Sequence, residues 1–327
     1  MKRRDFISAI AGAAIVCPRV ASAQSSSKVF RLGTLTPGAP LDDKSPLGAI
    51  LLKELDQRGY TLGKNLTLDA RGAAGDTSKL GAIIRAMKTH QVDVIVAIGF
   101  PTILACKVEN VPTVVAWGGG DPVATRLIDS LARPGGNITG ISDNATTLST
   151  KRLALIKQAV PKLKRIAMLW NRDDLGMSMR YQASAEAARS IEVAIQPLGV
   201  RAPDDFNGVF EAMDSEPPDA ILMVADVLTN LNRKRVFDYA DHHRIPALYE
   251  YDFFVRDGGL MSYGADLKEC VNRAAGLVAR IFIGARPADL PFEEPAHYPL
   301  VISFKTARAT GIQLPPNFVA LADEVIE

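Results

Sequence analysis

Two acidic residues, Asp226 and Glu250, stand at the ends of apolar runs that read as buried strands, Ala220 to Val224 and Ala247 to Glu250. In open α/β sheets ligands sit beyond the carboxyl ends of the strands, where loops and helix N-termini converge. A carboxylate placed there offers a partner to a ligand ammonium. Thr36 and Thr102 lie at two other such ends, each near the start of the next helix. Helix starts expose free N–H groups and partial positive charge, so they hold a carboxylate without an arginine. Phe100, Trp117, Tyr249 and Tyr263 supply aromatic wall at the same level, each able to bury about 150–250 Å². Pro37, Gly99, Asp121, Asn171, Ser142 and Asn144 complete the strand-end set. The combination suits a zwitterionic amino acid or a small aromatic acid. Each residue also has a structural alternative: Asp226 as a helix cap, Phe100 and Trp117 as core.

Other chemistries find little support. The four histidines, His90, His242, His243 and His297, show no metal-binding spacing, and adjacent positions on a helix diverge. There is no His-Glu-x-x-His, no Gly-x-Ser-x-Gly and no Gly-x-x-x-x-Gly-Lys run. Gly118-Gly119-Gly120 follows a strand without dinucleotide-binding spacing and reads as a turn. No cofactor, no metal and no catalytic residue is expected.

Strand and helix patterns alternate along the chain, which predicts parallel α/β sheets. They do so twice. Asp76 opens a helix 17 positions before Asp93, which opens the strand Asp93 to Ala97; Asp204 or Asp205 opens a helix before Asp219, which opens Asp219 to Val224. Between the two series lies Leu131 to Asn144, where Pro134 ends what precedes it and Gly135-Gly136 permits backbone angles closed to other residues. This stretch reads as a first crossover between two Rossmann-like lobes. Leu260 to Gly264 reads as a second and Val301 to Phe304 as a third. Lobe 1 is expected over residues 29–142 plus 264–297, and lobe 2 over 143–263 plus 298–327. A further helix is expected after Pro122.

The chain has 327 residues with 47% hydrophobic and 23% charged, an ordinary globular balance with length for two cores. Lys2, Arg3 and Arg4, the apolar run Phe6 to Val16 and Ala21-Ser22-Ala23 form an export signal, residues 1–23, with cleavage after Ala23. Arg3-Arg4-Asp5-Phe6-Ile7 resembles the twin-arginine signal. Its removal takes the formal net charge from +2 to −1 and leaves no basic stripe to bind nucleic acid. Cys106 and Cys270 remain, both inside expected helices, and separate buried thiols are the reading.

Asp121-Pro-Val, Leu131-Ala-Arg-Pro-Gly-Gly-Asn-Ile-Thr-Gly140, Gly259-Leu-Met-Ser-Tyr-Gly264 and Ala322-Asp-Glu-Val-Ile326 together resemble the ABC-transporter substrate-binding family that includes tryptophan/tyrosine-type binding proteins. The resemblance implies a type I periplasmic binding protein, two lobes with three crossings and the ligand between them. It further implies a periplasmic monomer that hands a small organic ligand, an amino acid or aromatic acid, to an ABC permease in the inner membrane. The alternatives are a secreted α/β enzyme and a binding protein that serves a sensor or chemoreceptor.

Overall fold

A computed structural model describes residues 28–327. The expected export signal and its cleavage position lie outside the described residues. The first series is β1 (Phe30–Thr36), α1 (Pro46–Gln57), β2 (Leu66–Gly72), α2 (Leu80–Thr89), β3 (Val94–Ile98), α3 (Phe100–Val108), β4 (Thr113–Trp117) and β5 (Ile138–Gly140). Its five strands are parallel, in the order β2-β1-β3-β4-β5. The second series is α4 (Ala145–Ala159), β6 (Arg165–Asn171), α5 (Leu175–Ser190), β7 (Ala194–Val200), α6 (Asp205–Ser215), β8 (Ala220–Met223), α7 (Val227–Leu231), α8 (Arg233–His243), β9 (Ala247–Tyr249), α9 (Asp252–Arg256) and β10 (Met261–Tyr263). The chain then makes α10 (Leu267–Phe282), β11 (Leu300–Ser303), α11 (Phe304–Thr310), α12 (Pro316–Val319) and β12 (Glu324–Ile326). The second sheet runs β12-β11-β10-β9-β8-β6-β7.

The internal repeat is visible in the strand order, because β2-β1-β3-β4-β5 and β7-β6-β8-β9-β10 follow the same path. The two repeat aspartates do the same work. Asp93 accepts the Arg31 N–H at 2.7 Å, and Asp219 accepts those of Lys164 and Arg165 at 2.7 and 2.9 Å. Each carboxylate thus clamps the start of the first strand of its lobe against the strand it opens. All five residues of β3 and all four of β8 are buried, because helices cover both faces of a parallel sheet.

Each lobe has its own apolar core on both sheet faces. Helix α10 returns to the first sheet, where Val271, Ala274, Ala275 and Val278 pack with Leu51 and Leu55 of α1. A Leu or Val side chain buried this way contributes about 1.5–3 kcal/mol. Before β11 the chain is pinned by Glu269, which accepts the N–H groups of Ala296 and His297 and pairs with Arg273 at 2.8 Å. Burial works against that charge, but these donors outweigh it and hold the carboxyl at about 2.

Three local expectations are corrected. No helix follows Pro122; the segment is a series of turns, held by the Asp121 carboxylate on the N–H groups of Val123 and Ala124. Neither Asp204 nor Asp205 caps α6 with its side chain; Asp205 instead accepts the Arg201 and Ala202 N–H groups and holds the preceding turn. The second sheet is not wholly parallel, since β11 returns from the first lobe antiparallel to β10. Cys106 and Cys270 are buried free thiols.

Candidate functional site

The strand ends of the two sheets face each other, and the lobes meet there. Distances from an ideal Cβ placed on glycine mark the approach. Such an atom on Gly120 of the first lobe would lie 3.1 Å from Gly176 Cα of the second. On Gly176 it would lie 3.4 Å from Phe100 Cβ, and on Gly38 it would be 3.7 Å from Val227 Cγ2. The loops after β1, β3 and β4 therefore oppose the starts of α5 and α7.

On the first lobe, α3 begins at Gly99, whose φ of 81° needs glycine and which offers no capping side chain. Its first-turn N–H groups are left to whatever enters the cleft. Thr102 in that turn is fully buried with its hydroxyl unpartnered. Phe100 is also buried, one side in the first lobe's core and its Cβ against Gly176. Pro37 is buried and would lie 3.2 Å from a Gly99 Cβ, so it backs the same turn. The Thr36 hydroxyl donates to the Ala39 carbonyl at 2.5 Å, so it closes its own loop. Trp117 is half-buried and packs on core residues of both lobes.

On the second lobe, Asp174 caps α5 by accepting the Met177 N–H at 3.2 Å. Asp226 caps α7 in a reciprocal box with Thr229, and also accepts from Asn171 Nδ2 at 2.6 Å. Burial pushes up the Asp226 carboxyl, and its cap and Asn171 only partly offset this. Burial and then the charge of Asp226 push Asp174 up to about 6. Both carboxylates cap helices that start on the second lobe's side of the cleft.

Glu250 does not present a free charge. It is 1% exposed and accepts from Arg152 Nη1 at 3.0 Å, Arg180 Nη1 at 2.6 Å and the Ala225 N–H at 3.0 Å. Asp143 completes this buried cluster, accepting from Tyr251 Oη at 2.6 Å and from the Gly118 N–H at 2.9 Å, with Arg180 Nη2 at 3.5 Å. Burial opposes the Arg180 charge, but Glu250 and Asp143 outweigh it and raise its pKa; the Tyr251 hydroxyl is pushed well above its usual range by burial and then by Asp143. Arg152 Nε donates to the Tyr263 carbonyl at 2.7 Å, which ties the cluster to the second crossing. Tyr263 itself is half-buried against the second core. Asn144, at φ 52°, donates to Tyr298 Oη at 2.8 Å, and Ser142 is buried beside it at the first crossing.

The structure thus brings Pro37, Gly99, Phe100, Thr102, Asn171 and Asp226 to the facing loops. It gives Thr36, Asp121 and Glu250 local duties and sets Ser142, Asn144 and Tyr263 at the crossings. Sequence reasoning missed Asp174, Gly176, Arg152 and Arg180. Only Asp174 had a signal, an N-cap residue three positions after the strand end Asn171. A groove of about 560 Å³ lined by Phe304, Ile312, Leu314 and Val319 lies on the outer surface of the second lobe, remote from these groups.

Residues 48–326 match the family described as ABC transporter substrate binding protein. The chain belongs to that family. This ABC transporter substrate-binding protein is 25% identical over 276 residues to a tyrosine-binding protein of Clostridioides difficile, covering 84% of this chain and 78% of the relative. Among solved structures it is similar to a conserved domain protein from Vibrio cholerae, with TM-score 0.83 and 25% identity over 91% of this chain and 100% of that one. It also shares its fold with a Streptococcus pneumonia ABC domain in complex with L-Trp, with TM-score 0.80 and 23% identity over 91% and 99% of the two chains. The type I periplasmic binding fold expected from the sequence is present, with two lobes around the cleft.

Proposed function

We propose that this substrate-binding protein captures an aromatic α-amino acid between its lobes and delivers it to an ABC permease in the inner membrane. One observation carries the reading: the open N-terminus of α3 faces a carboxylate-bearing edge of the other lobe. A zwitterion matches both poles, its carboxylate on the α3 N–H groups beside Thr102 and its ammonium toward Asp226. Phe100 and Trp117 supply apolar wall next to these groups. The printed names of the tyrosine-binding relative and the L-Trp complex support the same ligand class. The lobes that close are residues 29–142 with 264–297, and 143–263 with 298–327. The protein acts as a monomer and returns its ligand unchanged.

Titration calorimetry over the common amino acids tests this. L-Tyr or L-Trp is expected to bind with micromolar or tighter affinity, which is at least about 8 kcal/mol. Saturation-free titrations across the whole panel would refute the reading, and turnover of a bound compound would favour the enzyme alternative.

Export to the periplasm by the twin-arginine route belongs to the same proposal and rests on Arg3-Arg4-Asp5-Phe6-Ile7. Changing Arg3 and Arg4 together to Lys is expected to leave the precursor in the cytoplasm on fractionation. Normal periplasmic amounts of that variant would count against the route.

A further inference from the structure

We propose that Asp143 is a positioning residue for ligand retention: its carboxylate latches the shut cleft by accepting the Gly118 N–H of the first lobe. The inference rests on the amino-acid reading above and extends it from the ligand's own contacts to the first crossing between the lobes.

With the lobes taken as residues 29–142 with 264–297 and 143–263 with 298–327, the hydrogen bonds among the described residues stay within one lobe or the other, with two exceptions. One is the local contact of Ser142 with Asn144 inside the first crossing. The other is the Gly118 N–H on Asp143 Oδ2 at 2.9 Å, which joins residues 25 positions apart. At the facing loops the approaches of Gly120 and Phe100 to Gly176, and of Gly38 to Val227, are van der Waals contacts. One polar bond made by the protein therefore spans the shut lobes away from the chain of the crossing itself.

That bond is held unequally from its two sides. Asp143 is 1% exposed and tied to the second lobe: its Oδ2 also accepts from Tyr251 Oη at 2.6 Å with Arg180 Nη2 at 3.5 Å, and its Oδ1 takes the Ala145 N–H at 3.4 Å. Gly118 follows β4 of the first lobe, next to Trp117, which packs on core residues of both. When the lobes rotate apart, the second-lobe contacts keep Asp143 in place and the contact with Gly118 gives. Closeness to the crossing does not protect it, since an added separation of about 1 Å already exceeds hydrogen-bond length. The Gly118 N–H is buried in the shut cleft, where a donor needs an acceptor, and it reaches water once the cleft opens. A charged acceptor makes such a bond roughly twice as strong as a neutral one. Closure thus gains a bond that the open form lacks, and a ligand held between the lobes leaves more slowly.

Stopped-flow binding of L-tyrosine and L-tryptophan, with hydrogen exchange at one amide, tests the latch. Trp117-Gly118 is the sole Trp-Gly pair in the sequence, so carbonyl-13C tryptophan with 15N-glycine labelling isolates the Gly118 N–H by NMR. In wild type that amide is expected to exchange at least about tenfold more slowly when the protein is saturated with ligand. Asp143→Asn keeps the shape but offers a neutral acceptor. It is expected to release ligand about tenfold faster at a similar association rate, and to lose most of the ligand-dependent protection of Gly118. Tyr251→Phe loosens the same buried cluster while leaving the carboxylate on Gly118. It is expected to melt lower, yet to release ligand within about twofold of the wild-type rate. Gly118 exchange that ligand leaves unchanged in wild type overturns the latch and leaves the amino-acid reading standing, whether or not Asp143→Asn folds. So does an Asp143→Asn variant with wild-type release, or a Tyr251→Phe variant that releases as fast as Asp143→Asn, which would trace the effect to the stability of the cluster. Wild type that binds neither amino acid overturns both.

Discussion

Arg180→Ala is expected to destabilise the protein by about 3–5 kcal/mol, the usual cost of removing one partner from a buried ion cluster. Arg180 is 0% exposed and lies between Glu250 and Asp143, which are 1% exposed each. Without it two carboxylates would share a dry site with Arg152 as the sole facing guanidinium, 3.0 Å from Glu250. Arg152 replaces it only in part, since its Nε and Nη1 already hold the carbonyls of Tyr263 and Ala145 as well as Glu250. The expected readout is a lower urea midpoint with an unchanged slope. Adding Glu250→Gln to an Arg180→Met variant is expected to recover part of the loss, with a coupling of about 0.5–3 kcal/mol. Simple additivity of the two changes, or a loss below about 1 kcal/mol, would show that the cluster is not acting as a unit.

That cluster explains why the fold was more legible than the site. Apolar runs such as Val94 to Ile98 and the paired aspartates Asp93 and Asp219 carry their structural meaning in local pattern, so the two lobes and their crossings could be read directly. Partnership between Arg152, Arg180, Asp143 and Glu250 depends on residues up to 107 positions apart, as with Asp143 and Glu250. No local rule relates them. A carboxylate at a strand end looks the same in sequence whether it faces a ligand or, like Glu250, two buried guanidinium groups. Asp226 illustrates a middle case: it stands just past a strand end, as its position in sequence indicates, and there it caps α7 in a reciprocal box with Thr229. The missing helix after Pro122 has a different cause. Asp121 and the turns that follow satisfy their backbone locally, and the small apolar contribution of Leu127 and Ile128 is buried without a helical face.

Gly176→Val is expected to hold the lobes apart. Gly176 lies in the first turn of α5 with ordinary helical geometry, so valine there brings no backbone strain of the kind that a side chain at Gly120, φ 67°, would. What it meets is the Asp174 Oδ1 of its own helix cap, 3.3 Å from such a Cβ, and the other lobe. A Cβ at Gly176 already sits 3.4 Å from Phe100 Cβ and 3.5 Å from its Cγ, so alanine is tolerated with slight adjustment. The two further methyl groups of valine have no space unless the lobes separate. Overpacking of this kind costs about 1–3 kcal/mol, and the part that comes from Phe100 falls on the closed form. Ligand affinity should therefore drop by roughly ten- to a hundredfold, since 1.4 kcal/mol is tenfold. Each lobe keeps its own core, so the unliganded variant should melt within about a degree or two of wild type, as a surface change would. Small-angle scattering supplies the structural half of the test: wild type should contract when saturated with ligand, and Gly176→Val should retain a larger radius of gyration at the same saturation. Equal affinities and equal contraction in the two proteins would mean that the cleft binds without bringing α5 against α3, and the site would have to be placed farther from that junction.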